Sequence, residues 1–103
     1  MSVEALTAEG FKVVLASASG PSSDTVVSAG GAANVDLSVA SNPANILEIL
    51  ALKSVSGLPD GVVLVGVSFP STSTVRLRVF NPTGGDLTVT ADSVTAYVLA
   101  KAF

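Results

Sequence analysis

The sequence predicts an all-β fold, an antiparallel β-sandwich or jelly roll of seven to eight short strands. Three observations carry that prediction. Short β-branched and apolar segments recur along the whole chain, several alternating apolar and polar residues with period two. Clusters of Gly, Pro, Asn, Asp and Ser separate them at the spacing of sandwiches and jelly rolls. The stretch Gly61–Phe80, GVVLVGVSFPSTSTVRLRVF, joins two such segments through a Pro/Ser/Thr turn and reads as a hairpin. In its second strand Val75, Leu77 and Val79 alternate with Arg76, Arg78 and Phe80, giving one apolar face and one mixing cations with an aromatic ring.

Taken in order, residues 1–10 form an N-terminal arm ahead of a single sandwich domain, 11–103. Glu4 and Leu6 lie in this arm, which either frays or tethers a neighbouring subunit. Phe11–Ala18 is the first strand, and the loop SGPSSD ends it. Thr25–Ser28 is a short second strand, reversed at Ala29-Gly30-Gly31-Ala32. Ala33–Val39 places Val35, Leu37 and Val39 on one face and Asn34, Asp36 and Ser38 on the other, the pattern of a half-buried antiparallel strand. Ser41-Asn42-Pro43 turns the chain outward.

Ile46–Val55, ILEILALKSV, reads either way. Its Leu, Glu, Ala and Lys are good helix formers, yet every neighbouring segment is β, and that context favours strand. Val62–Phe69 is nearly continuously apolar, as expected in the middle of a sheet or at a subunit contact, with Gly66 marking a bulge or a close backbone approach. Thr74–Phe80 follows, then the turn Asn81-Pro82-Thr83-Gly84-Gly85-Asp86. Leu87–Thr90 and Val94–Lys101 complete the chain. Both faces of the last strand carry apolar residues, which predicts cover on each side.

The chain has 103 residues, 49% hydrophobic and only 13% charged. A typical soluble domain carries roughly 25% charged residues. So small a domain has much surface to cover, and five cations with eight acids leave some of it apolar. Burial against other subunits is the expected outcome, so the chain reads as a homo-oligomer or assembly component. Net charge −3 argues against nucleic acid as the ligand. The N-terminus lacks the basic region of a secretory signal, and no apolar run reaches the ~20 residues of a membrane helix. Scarce aromatic residues argue against an outer-membrane barrel, so the chain is expected to fold in the cytoplasm where it is made.

Chemistry finds little vocabulary here. Without His or Cys, the commonest general base and the transition-metal ligands are missing. Asp24, Asp60, Asp86 and Asp92 all sit in turn contexts, where their preference is to bond backbone. No calcium-loop, phosphate-loop or serine-nucleophile motif occurs, so no enzyme, metal or cofactor is expected. Arg76 and Arg78 are the exception, two guanidiniums on one strand face that either meet carboxylates on a partner or form a solvated face, their stems covering apolar neighbours. Phe80 shares that face.

The segment Gly57-Leu58-Pro59-Asp60-Gly61-Val62, followed by Ser73–Gly84 with its V-R-rich strand and Asn81-Pro82-Thr83-Gly84 turn, resembles small β-sandwich virion proteins of tailed bacteriophages. The resemblance covers about the last half of the chain. It implies a capsid decoration or cement protein, often trimeric, bound on the outer capsid and clamping neighbouring major capsid subunits. The alternative is a carbohydrate- or receptor-binding module of a phage tail or fibre.

Overall fold

The computed structural model describes residues 12–40 and 46–102. The arm with Glu4 and Leu6, and the turn at Ser41–Pro43, lie outside the described residues. Within them the chain forms eight strands: β1 (Lys12–Gly20), β2 (Thr25–Val27), β3 (Ala32–Val39), β4 (Ile46–Ser56), β5 (Val63–Ser71), β6 (Thr74–Phe80), β7 (Leu87–Val89) and β8 (Val94–Ala102). Six form one antiparallel sheet in the order β4-β8-β1-β3-β6-β5, and β2 and β7 form a two-stranded ribbon. The pairs β1·β8, β2·β7 and β3·β6 are nested, so the first half of the chain runs antiparallel to the second, as in a jelly roll. The fourth pair that would complete the nest is open. β4 turns instead to β8, and β5 to β6, while these two edge strands approach each other and nearly close the sheet.

The core follows from strand alternation. Val35, Leu37 and Val39 on β3 face Val75, Leu77 and Val79 on β6, while Ala96, Val98 and Ala100 extend the same layer along β8. Val27 and Val89 come from the ribbon and are also fully buried. The β5–β6 hairpin and both faces of β3 are therefore as the sequence predicts.

Two turn carboxylates fasten the ribbon. Asp24 Oδ1 accepts the Ala91 N–H at 2.8 Å, and Asp86 Oδ1 accepts the Ala29 N–H at 2.9 Å. Each bridges distant parts of the chain, so these aspartates brace long-range contacts rather than only their own turns.

β4 resolves the ambiguity of ILEILALKSV. It is a strand with three register shifts against β8, so that Leu47, Leu50 and Lys53 are each extra to the pairing. Each bulge advances the inward face by one residue, and Ile46, Ile49, Leu52 and Val55 all turn toward the core. Apolar residues at every third position are what an amphipathic helix would show. Here repeated bulges produce that spacing in a strand.

Of the two places expected for Val62–Phe69, the middle of the sheet is excluded: β5 is an edge strand, with Val65 58% exposed. On β8 none of the described elements covers the outer face, where Tyr97 is 43% and Leu99 37% exposed, so the cover expected on that side does not come from the described part of this chain. Gly66 does mark a bulge, at the register shift between Leu64 and Gly66.

Candidate functional site

The predicted contact residues Arg76, Arg78 and Phe80 stand on the outer face of β6, between β3 and the β5 edge. Cross-strand register arranges this face in rows. Ser68, Arg76 and Asp36 form one row, Gly66, Arg78 and Asn34 the next, and Val63, Phe80 and Ala32 the third. Inward-facing Val75, Leu77 and Val79, fully buried, fix β6 so that these side chains must point out.

The two arginines differ in state. Arg76 donates from Nε to Asp36 Oδ1 at 2.8 Å and from Nη2 to Asp36 Oδ2 at 3.1 Å, a bidentate pair. This guanidinium holds the Asp36 carboxyl below the usual carboxylate range, and the carboxylate raises Arg76 in turn. Arg78 donates from Nη1 to Asn34 Oδ1 at 3.1 Å and makes no ion pair among the described residues. Its Nε–Nη2 edge is the open fork of this face, able to take a carboxylate in two hydrogen bonds. On the β5 side its neighbour is Gly66, which presents no side chain over it. Phe80, half-buried, and the exposed Val63 supply an apolar border.

The turn after β6 anchors this face. Asn81 is fully buried, and its amide donates to the carbonyls of Val27 at 2.9 Å and Gly85 at 2.8 Å. Its Oδ1 accepts from the Thr83 N–H and the Thr83 hydroxyl. Its own backbone pairs with Gly30 and Gly31. A single residue thus fixes the end of β6 and the ribbon through its side chain and the β2–β3 turn through its backbone. Thr83 packs beside Gly61, where an added Cβ would stand 3.2 Å from its methyl group. The Leu58-to-Val62 turn and the Asn81-to-Gly84 turn therefore touch.

A second surface comprises the outer faces of β1, β8 and β4. Its middle row is Leu15, Leu99 and Ala51, its flanking rows Val13, Lys101, Glu48 and Ser17, Tyr97, Ser54. Leu15 is 55% exposed, and the bulge residues Leu47 and Leu50 add further exposed leucine. The two-sided apolar pattern of Val94–Lys101 was the sequence signal for it. Asn34 and Asp36 carried no comparable signal as arginine partners, since cross-strand register cannot be read from one strand alone. Among the described residues no helix is long and apolar enough to cross a membrane. No family model matches the chain, and neither curated proteins nor solved structures yield a match.

Proposed function

We propose that this protein is a structural subunit of an assembled particle, a capsid decoration or cement protein that binds the outer capsid of a tailed phage and stabilises contacts between major capsid subunits. One observation carries the reading: large apolar side chains on β1, β4, β5 and β8 stand in solvent on a chain with few charges to keep it apart from neighbours. The resemblance of Gly57–Val62 and Ser73–Gly84 to virion proteins supplies the setting. In this reading the β6 face is the polar contact to the shell. Arg78 takes a carboxylate of the capsid subunit, Phe80 and Val63 seal the border, and many copies act together by avidity.

The test is cosedimentation of the purified protein with capsid shells that lack it. Saturable binding that Arg78→Ala weakens at least tenfold, with an unchanged melting temperature, is the expected result. Absence of binding to any shell, or selective retention on a glycan array instead, overturns it in favour of a receptor-binding module.

A further inference from the structure

The outer face of β4-β8-β1 has the makings of a self-complementary surface. Its middle row is wholly apolar, and Val13, Leu15, Leu47, Leu50, Tyr97 and Leu99 are each exposed by more than a third. Together they present on the order of 500 Å², at the upper end for the largest apolar patch of a monomer. A stable dimer of standard size needs about 800 Å² from each partner. Ala51, Ser17 and Ser54, which lie in the same rows, are small and neutral and bring the face toward that figure.

The charges on this face choose both the occupant and the geometry. Glu48 lies on one side of the middle row of β4, and Lys53, the extra residue beside Ser54, lies on the other. Consider two copies stacked face to face about a two-fold axis running along the middle row. Leu15 and Leu99 then meet their own counterparts, and each β4 crosses over the other in the opposite direction. Glu48 of one copy falls over Lys53 of the other, twice by symmetry, and Lys101 falls over Tyr97, where a cation can sit on an aromatic ring. An axis running along the strands instead sets Lys101 over Lys101 and Glu48 over the apolar Val13, so it brings like charges together and loses the match of Glu48 with Lys53.

Edge-to-edge pairing is disfavoured by the strand irregularities. β4 carries three bulges and β5 two register shifts and Pro70, all of which spoil the regular ladder that a second strand would extend. We therefore infer that a second copy of this chain covers the outer face of β4-β8-β1, the two copies related by a two-fold axis along the Leu15–Leu99–Ala51 row. This deepens the reading above by assigning one surface to self-association and leaving the β6 face for the shell.

Native mass spectrometry and light scattering of the full chain test it. The wild-type protein is expected as a dimer, or as a larger even-numbered assembly of that dimer, and Leu15→Glu with Leu99→Glu as a monomer whose circular dichroism is unchanged. Lys53→Glu alone is expected to weaken association at least tenfold, because it sets two carboxylates opposite each other across the axis, and Glu48→Gln in that background to restore part of it, because the repulsion goes without placing a second cation beside Lys101. A wild-type monomer, a leucine variant that stays associated, or a Glu48→Gln substitution that restores nothing overturns the inference. A trimer overturns the two-fold arrangement. Loss of shell binding by Arg78→Ala in a protein that remains a dimer separates the two surfaces, so either reading can fail without the other.

Discussion

Asn81 is costly to replace, because its side chain serves three backbone groups, on Val27, Thr83 and Gly85, with no solvent to replace it. Asn81→Ala takes the donor from the Val27 carbonyl and the acceptor from the Thr83 N–H. It is expected to cost about 2–4 kcal/mol, read from the urea midpoint. Asn81→Asp keeps the acceptor but points a carboxylate at the carbonyls of Val27 and Gly85. Burial and those carbonyls raise its folded pKa above the unfolded value, so the variant's deficit is greatest at neutral pH and shrinks as the pH falls. Asp36 behaves oppositely. Its folded pKa lies below the ordinary 3.8, held there by Arg76, so its contribution is present above about pH 4 and fades as pH falls through the folded value. Both partners are more than a third exposed, at 41% and 48%, which keeps that contribution small. Asp36→Asn should leave the melting temperature at neutral pH nearly unchanged and flatten its decline below about pH 4.

At the scale of elements, β4 shows where sequence reasoning reaches its limit. Strand alternation made β3 and β6 legible, down to the buried Val35 and Leu37 on one and Val75, Leu77 and Val79 on the other, since a regular strand writes its two faces into alternate residues. In β4 the bulges shift the face at every third residue, and no local rule announces a bulge. For β5 the composition was legible but not the position, because an apolar run looks alike in a central strand and in an edge awaiting cover. The bulges can be tested directly. Deleting Leu50 removes one extra residue and forces Ile46 and Ile49 out of register with Leu52 and Val55. Exposing Ile49 alone should cost about 2–3 kcal/mol, well beyond the effect of Leu50→Ala, which keeps the bulge. The turn that follows β4 has a similar dependence on Gly57. Its φ of +94° suits glycine, and an added Cβ would collide with the Ser93 carbonyl oxygen. Gly57→Ala is expected to lower stability by more than ~2 kcal/mol in the same urea titration.

As a whole, the described strands turn three different outer surfaces to their surroundings: the polar rows of β3 and β6, the apolar rows of β1, β8 and β4, and the β5 edge. The charge deficit in the sequence announced that some surface would be apolar, but only the strand order shows which strands share it. If two copies bury the β4-β8-β1 face, folding and association are one equilibrium, and the melting temperature must rise with protein concentration. A covered face and an uncovered one then answer differently to the same kind of substitution. Leu15→Glu should abolish the concentration dependence, so that the variant matches the wild-type protein when dilute and falls below it when concentrated. Val65→Lys, at an equally exposed position on the β5 edge, should leave the dependence intact. Differential scanning calorimetry over a hundredfold range of concentration reads both. A melting temperature that is independent of concentration in the wild-type protein, or equally changed by the two substitutions, would mean that the exposed leucines of β1 and β8 are not where copies of this chain meet.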